Sequence, residues 1–89
     1  MATLFVRHTV ADYKAWRKLF EEFQPKGVEL GVKSAAVYQA ADNPNDVTVT
    51  HDFDTVETAR SFAQAEGLKN AMRDAGVIGA PTIWITNKA

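Results

Sequence analysis

Twice along its 89 residues this chain passes directly from an alternating apolar run into an apolar stripe of helical period. That double transition limits the possible folds more than any other feature. In the first run Leu4, Val6, His8 and Val10 share one face, with Phe5, Arg7 and Thr9 on the other. Period-two alternation with β-branched residues predicts a strand. Asp12 stands where a helix N-cap belongs. Tyr13, Trp16, Leu19, Phe20 and Phe23 then recur at steps of three and four, opposite Lys14, Arg17, Lys18, Glu21 and Glu22. This is the stripe of an amphipathic helix, which Pro25 and Gly27 are predicted to end or break in its last turn. The second run, Val47 to Phe53, puts Val47, Val49, His51 and Phe53 on one face and Thr48, Thr50 and Asp52 on the other. Asp54 or Thr55 caps the following helix, with Glu57 available for a capping box. Its stripe is Val56, Ala59, Phe62 and Ala63, resuming at Leu68, Ala71, Met72 and Ala75 after a kink or short break predicted at Gly67. Gly76 is a natural stop. Sliding one transition onto the other without a gap aligns Val6 with Val49, His8 with His51 and Arg17 with Arg60.

The remaining segments complete the pattern. A further strand is predicted from Val32 to Ala40. The turn-forming run Ala41-Asp42-Asn43-Pro44-Asn45-Asp46 joins it to the strand at Val47 as a hairpin. Pro81 closes a linker before a last short strand, Thr82 to Thr86. The order β-α-β-β-α-β with right-handed crossovers predicts an α+β, ferredoxin-like domain spanning residues 1–89. Its four-stranded antiparallel sheet has the order 4-1-3-2, with both helices on one face.

Two helices cover only one face of such a sheet. The other carries Phe5, Arg7, Thr9, Thr48, Thr50, Asp52, Thr82, Trp84 and Thr86. A chain this short has little core, and its lack of cysteine excludes disulfides and thiolate metal sites. Burying Phe5 and Trp84 against a second copy is the economical solution. The expected partner is therefore another copy of the chain, packed sheet to sheet. Ten basic against eleven acidic residues leave a net charge of −1, no footprint for nucleic acid or anionic lipid. The sequence shows no basic, apolar leader and no membrane-spanning run, so a cytoplasmic globular protein is expected.

His8 and His51 are the chain's two histidines, each four residues before a cap candidate. Read as parallel neighbours, their strands would bring the imidazoles to one side at similar heights, beneath helix N-termini that disfavour the imidazolium form. Two roles fit such residues: hydrogen-bonded core, or a neutral base facing a phenol-like ligand in an apolar pocket. A metal site is not expected from two ligands without a third. Tyr13, Trp16 and Phe62 are the candidate pocket lining, or else plain core. Arg7 and Asp52 are expected to pair across strands or across the interface, and Arg17 and Arg60 to lie in solvent. The chain holds no nucleophile elbow, phosphate loop, HExxH or EF-hand motif.

Four segments resemble one family: Arg7-His8-Thr9-Val10, Asp12-Tyr13 with Trp16, Ala41 to Val47, and Leu68 to Pro81. It comprises small bacterial proteins of the dimeric α+β-barrel superfamily, known as antibiotic biosynthesis monooxygenase-like or cyclase-like. The resemblance implies the same fold, a homodimer, and a small apolar ligand between helices and sheet. The activities it implies are cofactor-free monooxygenation or isomerisation of an aromatic or polyketide-like molecule; the alternative expectation is a non-catalytic homodimer that binds a small molecule or is purely structural. Haem chemistry does not follow, because Val56 to Ala75 contains neither Trp nor His. The Asn-plus-Trp pair of the monooxygenases has only Asn70 as a counterpart, beyond Gly67.

Overall fold

The computed structural model describes residues 1–89. Its elements are β1 (Ala2–Val10), α1 (Tyr13–Glu29), β2 (Ser34–Ala40), β3 (Asn43–Phe53), α2 (Val56–Ala63), α3 (Glu66–Asp74) and β4 (Val77–Asn87). The strands form one sheet in the order β2-β3-β1-β4, every neighbouring pair antiparallel. The helices lie on the face built from Leu4, Val6, Val10, Val47, Val49 and Phe53, all buried. Period-two alternation explains this directly, since one parity of β1 and β3 is mainly apolar and the other mainly polar, with His8 and His51 on the first and Phe5 on the second.

Two core clusters divide that face. Leu4, Val6, Val32, Phe53, Ala59, Phe62 and Leu68 pack at one end. Val10, Trp16, Val47 and Val49 pack at the other, flanked by Tyr13 and Phe20.

Several boundaries differ from the sequence expectation. The first helix runs through Pro25 and Gly27 and stops at Leu30. Pro25 removes one hydrogen-bond donor, but the true terminator lies further on. The Val32 amide donates to the Gly27 carbonyl at 3.0 Å and the Gly31 amide to the Val28 carbonyl at 3.1 Å. With Gly31 at φ 104° this is a Schellman cap, which moves the start of β2 to Ser34. The hairpin turn shrinks to Ala41 and Asp42, because Ala40 already pairs with Asn43. Asn43 to Asp46 thus joins β3 through a register irregularity that accommodates Pro44.

The second helical stretch breaks at Gln64–Ala65 rather than at Gly67, which lies inside α3. Thr55 caps α2, its hydroxyl accepting from the Thr58 amide at 3.1 Å. That position leaves Glu57 one residue too early for a capping box. The last strand starts at Val77, five residues before the predicted Thr82 (82 − 77), and carries Pro81. Pairing jumps from Arg7–Thr82 to Thr9–Ile78, so Gly79, Ala80 and Pro81 form a bulge opposite His8. Gly79, at φ 72°, takes the left-handed conformation this bulge requires. No helix is long and apolar enough to cross a membrane.

Candidate functional site

The interior face of the sheet and the helices frame a half-open pocket of about 50 Å³. Val6 and Val49, directly paired on β1 and β3, form its floor. Trp16, Leu19, Phe20 and Phe23 of α1 form one wall, and Ala71, Met72 and Ala75 close the opposite side. His8 and His51 supply the polar surface.

Antiparallel pairing corrects the expected placement of the two imidazoles. His8 lies opposite Val47 and His51 opposite Leu4, so they are four residues apart along the ladder, roughly 13 Å at ordinary strand rise. They share a face but stand at opposite ends of the cavity. A matched offset before two helix caps gives matched heights only if the strands run the same way. In this topology each crossover is parallel, and the intervening hairpin reverses β3 against β1. The two imidazoles are too far apart to share one metal ion, and no group of three or more potential ligand side chains gathers anywhere in the molecule.

An aromatic row spans the distance between them. The His8 ring meets Trp16 edge-on at 5.6 Å, Trp16 stacks on Phe20 at 5.1 Å, and Phe20 lies 6.3 Å from His51. Residues 16 and 20 are one helical turn apart, so the stripe seen in the sequence becomes this row. Of the three candidate lining residues, only Trp16 borders the cavity. Tyr13 lies behind Trp16 at 5.8 Å. Phe62 packs behind His51 at 5.0 Å and against Phe53 at 5.3 Å. Leu19, Phe20 and Phe23 carried the same helical signal. The contribution of Ala71, Met72 and Ala75 depends on how α3 docks, which periodicity does not specify.

His8 and His51 are only 6% and 7% exposed. Both nitrogens of His8 and Nδ1 of His51 are buried without any hydrogen-bond partner from the protein. A neutral imidazole carries one donor and one acceptor, and a buried polar group left unpaired costs about 1–3 kcal/mol. Such groups in an apolar wall call for a partner from outside the chain. Burial holds His8 below its ordinary pKa. Burial also lowers His51 to about 4, against a weaker upward pull from the Asp52 charge. Both are therefore neutral bases at pH 7.

The outward face pairs differently from the sequence expectation. Arg7 does not meet Asp52; it forms a two-point ion pair with Asp46, at 3.0 and 2.6 Å. The register explains this, since Arg7 faces Thr48 while Asp52 faces Thr3. The Asp52 carboxylate accepts from the Thr3 hydroxyl at 2.7 Å and the Ser34 hydroxyl at 2.5 Å, which holds its pKa down. Arg60 is exposed. Arg17 is half-buried, bonding Glu21 at 3.0 Å and lying 5.5 Å over the Phe20 ring. Asn70 is exposed and accepts from Arg73 at 3.2 Å, away from the cavity.

The sequence matches no protein-family model. No curated protein matches it either. Solved structures do match in shape. A candidate antibiotic biosynthesis monooxygenase from Bordetella bronchiseptica superposes with a TM-score of 0.84 at 14% identity, over 99% of this chain and 96% of that one. A counterpart from Nitrosomonas europaea superposes at 0.75 and 14% identity, over 99% and 98% of the two chains. SnoaB of Streptomyces nogalater, a cofactor-independent oxygenase, superposes at 0.79 and 12% identity, covering 99% and 92%. At such identities it is the backbone that is shared: this chain has the ferredoxin-like α+β fold of the antibiotic biosynthesis monooxygenase structures, over essentially its whole length.

Proposed function

We propose that this chain is an antibiotic biosynthesis monooxygenase-like protein. In this reading its helix–sheet cavity takes up a small, mostly apolar aromatic molecule and, without a cofactor, prepares it for oxidation by O₂. The observation that carries the reading is the set of three unpartnered imidazole nitrogens buried around an otherwise apolar cavity. A neutral imidazole accepts the proton of a phenol or of an enolisable ring CH₂. The resulting anion is electron-rich enough to reduce O₂ itself. Oxygen adds at the deprotonated carbon, and the hydroperoxide loses water, so that CH₂ plus O₂ becomes C=O plus H₂O. All four electrons needed by O₂ come from the substrate carbon. His8 and His51 serve as base and as hydrogen-bond partner at opposite ends of the ring system. Trp16 and Phe20 supply the stacking surface.

A second reading is a binder without turnover. It is favoured by the small polar complement of the cavity, two imidazoles and no other titratable group. One experiment separates the two. Imidazole NMR signals are followed while 2-naphthol is added, and oxygen uptake is recorded with an anthrone. Oxidase function requires both ligand-induced shifts and uptake that falls at least tenfold in His8→Gln or His51→Gln. Shifts without uptake support the binder. Imidazoles unmoved by the probe and titrating near 6.5 would remove both.

The same reading includes a cytoplasmic homodimer packed through the outward sheet face. Phe5 and Trp84, paired across β1 and β4, stack there at 5.1 Å with Trp84 still 41% exposed.

A further inference from the structure

At about 50 Å³ the helix–sheet pocket is too small, as it stands, for the aromatic ligand proposed above, since small-molecule sites run to roughly 300 Å³ or more. Met72, which lines it, also lines a second and much larger cleft on the outer side of α3, about 280 Å³. The walls of that cleft are Lys69 and Arg73 of α3 and, across from them, Val77, Gly79 and Pro81 of β4. Only the flexible Met72 side chain is common to both spaces. A thioether on three rotatable bonds adapts its shape readily. Its displacement is the movement that would join the two spaces into one site.

The joined site has a strong polarity along its length. The inner end is aromatic and imidazole-lined, whereas the outer end is cationic. Lys69 and Arg73 are one helical turn apart and project on one side of α3. Lys69 makes no ion pair, even with Glu66 in the preceding turn. The Arg73 guanidinium is oriented by its bond to the Asn70 side-chain oxygen at 3.2 Å. Its single acidic neighbour, Asp74, is 3.7 Å away and exposed. The opposite wall contributes no carboxylate. It exists because the β4 bulge at Gly79 to Pro81 turns that segment out of the sheet ladder.

We infer that the ligand of the His8/His51 cavity is an aromatic acid: its ring system passes Met72 into the cavity while its carboxylate stays outside, held by Lys69 and Arg73. This rests on the cavity reading above and adds to it a charged recognition point and a substrate class. A guanidinium and an ammonium on one helical face suit a carboxylate, to which both donate charge-assisted hydrogen bonds. A neutral aromatic would occupy the same joined space without the charged contacts.

The test compares two probes that share one ring system, 2-naphthol and 6-hydroxy-2-naphthoate, titrated by fluorescence into the intact protein at pH 7.5. The acid is expected to bind about tenfold more tightly at low salt, an advantage that shrinks as salt screens the pair. In the Lys69→Gln/Arg73→Gln variant the two affinities should converge, with that of 2-naphthol unchanged. Lys69→Arg should keep the preference. Both positions are exposed, so an unchanged melting temperature is expected for these variants. If 2-naphthol binds and the acid gains nothing, or its gain survives the double substitution, the clamp is refuted and the cavity reading stands. If neither probe binds, both fall.

Discussion

Protonating His51 means placing a charge among Phe20, Phe62 and the floor of the sheet, so the folded chain resists it down to a pH of about 4. An unfolded histidine titrates near 6.5. Between these values the unfolded state binds the extra proton, and stability must fall as pH falls. The contribution is fully present above pH 6.5, and by pH 4 about 3 kcal/mol of it is lost, from His51 alone. His8, lowered by the same cause, adds in the same direction. The carboxylates of Asp46 and Asp52, held low by Arg7 and by two hydroxyls respectively, lose their contribution as pH falls through the ordinary carboxylate value and below it, so the histidines dominate the change above that value. Urea titrations at pH 7.5 and 4.5 should therefore show a clear drop in midpoint. His51→Phe should remove most of this pH slope. A midpoint that holds steady across the interval would mean that the imidazoles reach solvent.

Helix ends decide how the elements meet, and two glycines there make opposite demands. Gly31 closes α1 at φ 104°, and a Cβ at this position would stand 2.7 Å from Thr58 Cγ2 of α2. Gly31→Ala should cost about 1–2 kcal/mol for the left-handed backbone and more for the clash. Adding Thr58→Ser removes the offending methyl and keeps the hydroxyl facing Thr55, so the double variant should recover part of the loss. Equal losses in the single and double variants, measured by chemical denaturation, would show that the contact is not made. Gly67 is different: it lies inside α3 and a Cβ there meets nothing within 4 Å. Gly67→Ala should stabilise the chain by about 0.5–1 kcal/mol by restricting the unfolded backbone. Destabilisation would mean that α3 is not helical at this residue.

At the scale of the molecule, one sheet face is covered by helices and the other is bare. The bare face combines the Phe5–Trp84 stack with threonines and the Arg7–Asp46 pair. The proposed dimer covers it and would add apolar area that a chain of 89 residues lacks by itself. Its melting temperature should then rise with protein concentration. Trp84→Asp should shift light scattering from dimer to monomer at micromolar concentration and lower the melting temperature. A concentration-independent monomer, or a Trp84→Asp variant that remains dimeric, would refute this arrangement.

What the sequence determined by itself is the set of local facts. Alternation in Leu4 to Val10 and Val47 to Phe53 names the buried face of both strands, because side-chain direction in a strand depends only on parity. The steps of three and four from Tyr13 to Phe23 name the buried face of α1 for the same kind of reason. From these, the element order and right-handed crossovers yield the sheet order β2-β3-β1-β4. Turn chemistry was legible less sharply, since Pro25 and Gly27 can sit inside a helix whose later glycine supplies the cap. Only the tertiary structure decided where His8 and His51 stand relative to each other. Their separation depends on the relative direction and register of two strands far apart in the chain. It also decided that Met72 borders two spaces while Tyr13 and Phe62 border neither. The docking angle of α3 and the bulge in β4 arise from packing between elements, and no periodicity within either one encodes them.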